Sequence, residues 1–407
     1  MAKKSESGKS SSSVFDLIKT FDKSFEVLSE TDNYKIKDYI STGNYMLNAC
    51  MTASMFKGIP AGKITTFSGD PATGKSYLAI SACREAQKKG YQVYYMDTEG
   101  AIDSDGVANL GCDPETFGIT LVNTVTEVSS HMLKILNHLL EQPEETREKV
   151  IFVLDSLGNL SSDKEINDLM EDTGKKDMKR AQDIKALFRV IAVPLAKTGC
   201  PMIVCTHTYN TQEMFSRKVV TGGTGLGFGS SVTIMLSSAK LEDKTADVAA
   251  SKHVGDFTKN GTLVTATPYK SRFSIPQKVQ FQIPFFNAPN PYIGLEKYLT
   301  WDNSGIIRGE ILTQKEYNKL SESERAQCHE MADENGELCY ARAKDTARTI
   351  VVKHLGKKLP VTELFTSKVF TDELLHHLDE VAIKPNFEFK STESLEGIEE
   401  ILDNGND

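Results

Sequence analysis

Residues 67–80 read FSGDPATGKSYLAI, and within them Gly69–Ser76 fit G-x-x-x-x-G-K-[ST] in full. A β-rich run, KITTFSG, precedes the motif and a helical stretch over 75–89 follows it. Strand, glycine turn and helix start in that order make an anion cradle. The glycines let backbone N–H groups turn inward, and the helix N-terminus adds partial positive charge. The loop residues Gly69, Asp70, Pro71, Ala72, Thr73 and Gly74 would wrap phosphates, with Tyr77 just inside the helix. Lys75 supplies a point charge to the β- and γ-phosphates and Ser76 a hydroxyl for Mg²⁺. This restricts the fold more than any other feature, because such a strand must open onto a ligand at the carboxyl edge of a sheet.

The surrounding pattern supplies the sheet. Short apolar runs occur at YQVYYMD, GITLVN, KVIFVLD, PMIVCTH, SVTIML, GTLVTATP and KVQFQI, with helical stretches over 125–141 and 178–198 between earlier ones. Strand–helix alternation predicts an α/β core with a mainly parallel twisted sheet covered by helices on both faces. The last runs follow without long helices, which predicts an antiparallel edge. We expect this core over 46–300, a small α+β domain over 301–385 and an acidic tail over 386–407, which carries seven carboxylates and one lysine. Asn-Gly in DENGELCYARAKD signals a hairpin, and TSKVFTDELLHHLDEVAI an amphipathic helix. Before the core, residues 1–45 hold a Ser- and Lys-rich start and a stripe of Phe15, Ile18, Phe21, Phe25 and Leu28 at helical spacing. That stripe packs on its own domain or on a neighbouring subunit.

The 407 residues suit two or three domains, and no stretch approaches the roughly 20 apolar residues of a membrane span. No signal peptide is legible, and seven scattered cysteines argue for reduced thiols and a cytoplasmic setting. The net charge of −9 by itself disfavours nucleic acid, but much of it lies in the tail.

Two carboxylates complete the site. Asp155 ends KVIFVLD at a strand's carboxyl end, where it would hold Mg²⁺ through water with Ser156 orienting it. In YYMDTEGAID, Glu99 is placed to polarise an attacking water and Asp97 reads as structural. The site is therefore built to bind and hydrolyse ATP. Two long segments then leave the sheet just after these strands. The first, about 157–178, leads to Lys175, Lys176, Lys179 and Arg180; the second, about 207–230, carries Phe215, Arg217, Lys218 and a run of glycines that includes Gly222 and Gly223. Alone, each is a surface excursion or a functional loop. Together, basic and aromatic, they suit a nucleic-acid strand.

VLDSLGNLSSDKE, KALFRVI and THTYNTQEMFSRKVVTGGTG together resemble the RecA family of recombinases, in its tailed-phage branch, the UvsX type. The resemblance is strong over about 60–283 and weak outside it. It implies that the long segments are paired DNA-binding loops, with Gly222 and Gly223 offering amides to a DNA phosphate and Phe215 separating bases. It makes Glu99 the catalytic carboxylate. It sets His207 where a glutamine senses the γ-phosphate in bacterial members, acting as a hydrogen-bond sensor or a cation. Lys270 and Arg272, in ATPYKSRFS, match residues that reach a neighbouring subunit's phosphates. Asp103 matches an acidic residue that contacts the base, while no aromatic stands near Gly106 where bacterial members stack the adenine. The implied function is a DNA-dependent ATPase that filaments on single-stranded DNA and exchanges strands with duplex DNA. It would work with single-strand-binding and mediator proteins, in the host cytoplasm if phage-encoded. The rival readings are a hexameric helicase or translocase with the same core, and a nucleotide-switched assembly ATPase that ignores DNA.

Overall fold

The structure, a computed structural model, describes residues 14–29, 31, 35–170, 179–210, 218–221, 223–238, 261–284 and 288–389. It falls into two units, residues 1–37 and 38–407.

Among its described residues the first unit contains one helix, Val14–Phe21, shorter than the predicted stripe. Asp22 ends it. Its carboxylate accepts from the N–H and hydroxyl of Ser24, a local turn that competes with helical bonding. Phe25 and Leu28 therefore lie beyond the helix.

The second unit is built on an eight-stranded sheet. In chain order its strands and principal helices are β1 (Ile64–Gly69), α1 (Lys75–Gln87), β2 (Gln92–Asp97), β3 (Phe117–Leu121), α2 (Val125–Leu140), β4 (Val150–Asp155), α3 (Lys179–Thr198), β5 (Met202–Thr206), α4 (Gly223–Gly229), β6 (Val232–Ser238), β7 (Gly261–Ser271) and β8 (Val279–Pro284). The sheet order is β8-β7-β6-β1-β5-β4-β2-β3. Neighbours from β6 to β3 pair in parallel, and β7 and β8 close one edge antiparallel, as the spacing of the last apolar runs predicts. β1, β4 and β5 are almost wholly buried, which explains the near-continuous apolar runs of β4 and β5; β1 buries Thr65, Thr66 and Ser68 as well. One face packs on α1 and the helix Tyr45–Thr52, through Met46, Leu78, Ala82, Tyr95 and Phe281; the other packs on α2 and α3, through Val128, Met132, Phe152, Leu187 and Ile191. Thr124 and Glu127 form a reciprocal cap that starts α2.

Beyond Trp301 an antiparallel five-stranded sheet follows: β9 (Ile306–Leu312), β10 (Cys328–Ala332), β11 (Leu338–Ala343), β12 (Thr349–Val352) and β13 (Lys357–Pro360), in the order β10-β11-β9-β12-β13. Asn335-Gly336 turns the β10–β11 hairpin, with Gly336 at φ 85°, a left-handed value that favours glycine. α5 (Asp372–Leu378) starts at the Thr371 cap and continues through a wider turn to Ile383. No helix among the described residues is long and apolar enough to cross a membrane.

Candidate functional site

β1, β5, β4 and β2 lie side by side and run the same way, so residues from four distant stretches meet at one carboxyl edge. β1 ends at Gly69 and the chain turns through 70–74 into α1. Two glycines there are obligatory. A Cβ on Gly69 would stand 2.6 Å from both the Leu236 carbonyl and the Thr73 hydroxyl; Gly74 has φ 89°, and a Cβ there would stand 2.1 Å from Ile283. Lys75 is 7% exposed. Its ammonium donates to the Gly69 and Asp70 carbonyls at 3.1 and 2.9 Å, and burial lowers its proton affinity against the opposing pull of Cys205, Asp155, Glu99 and Asp70. The Thr73 hydroxyl donates to the Asp70 carbonyl as well.

Asp97 and Asp155 are cross-strand partners at the ends of β2 and β4. Asp155 is buried, and its Oδ2 accepts from the Tyr95 hydroxyl at 2.6 Å. Burial, and then the Asp155 charge, push the Tyr95 phenol up, so it stays a donor. The Asp155–Ser156 peptide is cis. Thr98 binds it, accepting from the Ser156 N–H at 2.8 Å with its hydroxyl set against the Asp155 and Ser156 carbonyls. The Ser156 hydroxyl is buried and without a hydrogen bond among the described residues, beside a carboxylate with one oxygen so engaged. That donor set fits a hydrated divalent cation, with Ser76 opening α1 as a further oxygen.

Glu99 follows directly. Asp97 accepts four backbone N–H groups, from Glu99, Gly100, Ala101 and Ile102, and so shapes the turn that carries it. The Glu99 carboxylate accepts from the Asn159 side chain at 2.6 Å. Asp103 caps the next short helix, accepting from the Gly106 N–H.

Both long segments are rooted here, and each carries regular structure. After β4 a short turn, Leu157–Asn159, leads to the helix Asp163–Met170. Arg180, at the start of α3, donates to the Leu157 and Gly158 carbonyls and so fastens that root. Its position is the base of the loop rather than its tip. Lys179 is exposed beside it. After β5, residues 208–210 pair antiparallel with 218–220, the latter including the Lys218 backbone, and α4 follows from Gly223. His207 sits between the roots, so near Gly158 that a Cβ there would lie 2.8 Å from its ring. Two glycines of α4 serve packing: a Cβ on Gly225 would meet the Lys185 backbone at 2.6 Å, and one on Gly229 would stand 3.1 Å from the Phe188 side chain. Lys175, Lys176, Phe215, Arg217 and Gly222 lie outside the described residues.

Lys270 and Arg272 stand at the end of β7. The Lys270 ammonium donates to the Gly227 carbonyl of α4 at 2.7 Å, and burial and then the nearby Arg272 lower its proton affinity. Sequence reasoning missed Tyr95, Thr98, Asn159 and Cys205. The signal for Tyr95 was available: it lies two residues before Asp97 and therefore on the same strand face.

A mainly parallel sheet with a phosphate loop on a central strand, carboxylates at the ends of two neighbouring strands and two long excursions beside them is a RecA-like α/β core. A model of the RecA N-terminal domain matches residues 11–275, and the chain belongs to the RecA family. Among relatives, it is 28% identical over 270 residues to the "Recombination and repair protein" of Enterobacteria phage T4, covering 66% of this chain and 65% of that one. It is 26% identical over 260 residues to "Protein RecA" of Malacoplasma penetrans (63% and 74%), and 31% identical over 202 residues to "Protein RecA" of Crocosphaera subtropica (48% and 52%). The matched stretch thus spans just under two thirds of the phage relative.

Proposed function

We propose that this chain is an ATP-dependent recombinase: a DNA-dependent ATPase that assembles as a filament on single-stranded DNA, pairs it with homologous duplex and exchanges strands. The observation that carries the reading is that Lys75, Asp155 and Glu99 share one sheet edge with the roots of both long segments, so nucleotide and loops have common supports. The names of the relatives favour recombination over the ring-helicase and assembly-switch readings.

In this proposal the amides of 70–74 and Lys75 bind the triphosphate, and Asp103 contacts the base. Ser76, Asp155 and Ser156 would hold Mg²⁺, which supplies charge neutralisation on the phosphates. Glu99, held by Asn159, orients and polarises the attacking water. His207, between the two loop roots, reads the γ-phosphate. Lys270, on β7, and Arg272, just past its end, serve a neighbouring subunit's nucleotide, which would make hydrolysis depend on assembly. Strand exchange itself requires no covalent chemistry on DNA by the protein.

The test is the ATPase rate with and without single-stranded DNA, for wild type and Glu99→Gln. The wild type should be DNA-stimulated, and Glu99→Gln should lose about 10²–10⁴-fold while still binding nucleotide. Equal rates with and without DNA would sink the reading. Electron microscopy with ATP and DNA should show continuous filaments; closed rings would favour the helicase, and particles indifferent to DNA the assembly switch.

A further inference from the structure

The second long segment is joined to the phosphate loop by direct hydrogen bonds. Asp70, the second residue of the phosphate loop, accepts from the Thr208 hydroxyl through its Oδ1 at 2.7 Å. Ser68, on the other side of Gly69, donates to the His207 carbonyl at 3.3 Å. The first two residues of the segment are thus tied to the two residues flanking Gly69. The ribbon above is closed at its neck: the Thr221 N–H donates to the His207 carbonyl and the Thr206 hydroxyl to the Thr221 carbonyl, before Thr208 pairs with Val220. A two-stranded ribbon held at the neck moves as one piece when its root moves.

The Asp70 side chain is no ligand for a phosphate, because a carboxylate repels a triphosphate at any short distance. Its backbone, by contrast, belongs to the phosphate loop. Its carbonyl accepts from both Lys75 and Thr73. Phosphates entering the loop compete for the Lys75 ammonium and so withdraw a bond from that carbonyl, while their charge bears on the Asp70 carboxylate. Both effects act on the residue that holds Thr208.

We propose that Asp70 and Thr208 form the latch through which nucleotide occupancy is transmitted to the ribbon that leads into the second DNA-binding loop, with Thr208 a positioning residue rather than a ligand of either partner. This rests on the functional reading above and adds a route to the loop beside the one through His207. Coupling is a difference in affinity, so it is read as a ratio, and the same ratio must appear when DNA affects nucleotide binding.

The experiment uses the full chain and a fluorescent oligo(dT), with affinity measured by anisotropy in Mg²⁺ with ATPγS and with ADP. The ratio of the two dissociation constants is the coupling factor. Thr208→Val keeps a β-branched side chain on a strand and removes the hydroxyl. It should lower the ratio about three- to tenfold, the range of one lost hydrogen bond, and leave affinity for a fluorescent ATP analogue without DNA within about twofold. Thr208→Ser should restore the ratio. A large wild-type ratio that Thr208→Val retains, or a Thr208→Ser variant as impaired as Thr208→Val, overturns the latch alone. A wild type with equal affinity in both nucleotides overturns the functional reading and the latch together.

Discussion

Asp97 is 2% exposed, and its carboxylate takes four consecutive backbone N–H groups. A hydrogen bond to a charged group contributes about 1.5–3 kcal/mol. Asp97→Ala should therefore destabilise the fold by about 3 kcal/mol or more in urea unfolding, and should abolish hydrolysis by releasing the turn that carries Glu99. A variant as stable as the wild type would show that the turn holds itself. The thiols obey the same logic of burial. Burial pushes Cys50 up to about 12 and Cys112 and Cys200 up to about 11, and raises Cys83 and Cys205 well above the usual range. Only the thiolate is nucleophilic. Alkylation of the native protein near neutral pH should thus reach Cys328, the cysteine left partly exposed, before any other. Peptide mass spectrometry with early labelling of Cys50 or Cys83 would contradict this.

The informative element is α4, whose glycine-rich sequence is a poor helix former by propensity. It is helical because it lies against α3 at a distance that side chains would forbid, at Gly225 on Lys185 and Gly229 on Phe188, with Lys270 donating to the Gly227 carbonyl near its carboxyl end. Gly225→Ala introduces a Cβ against backbone rather than against a flexible side chain. Overpacking of this kind costs about 1–3 kcal/mol. The expected outcome is weaker binding of single-stranded DNA with nucleotide affinity retained, since α4 ends the second loop while the phosphate loop lies on another strand. Equal loss of both affinities would mean that the two are not separately supported.

At the scale of the molecule, the carboxyl-terminal elements are fastened to the core. Asp379, buried, accepts from the Ser54 hydroxyl and the Met55 N–H, both at 2.8 Å. Ile306, Ile350, Val352 and Phe387 belong to the same buried cluster as Ile40 and Phe281. Asp379→Ala should cost about 2–4 kcal/mol by calorimetry or urea, because a charged acceptor of two bonds is lost from the interior. Phe387 falls within the stretch that charge alone assigns to the tail, and it is fully buried, with its carbonyl accepting from the Ile275 N–H. A deletion designed to ask whether the acidic tail competes with DNA is therefore cut after Phe389. The expected result is faster loading on duplex DNA at unchanged melting temperature. Deleting 386–407 should instead lose about 3–5 kcal/mol, the cost of emptying a phenylalanine site.

Local order determined a great deal of this protein. Periodicity and turn chemistry are properties of neighbouring residues, so the eight strand runs, the helices at 75, 125 and 179, the phosphate loop and the Asn335-Gly336 hairpin could all be read before the chain was folded. Adjacency could not. Tyr95 is 60 positions from Asp155 and Thr208 is 138 from Asp70, and nothing in either neighbourhood names the other. Nothing local to α4 shows that α3 lies against it at Gly225, and the helical stripe from Phe15 to Leu28 runs on past an Asp22 turn that ends the helix. Strand order decides which side chains become neighbours, and strand order is set by how the sheet buries its two faces, an energy summed over the whole unit rather than over any stretch of it.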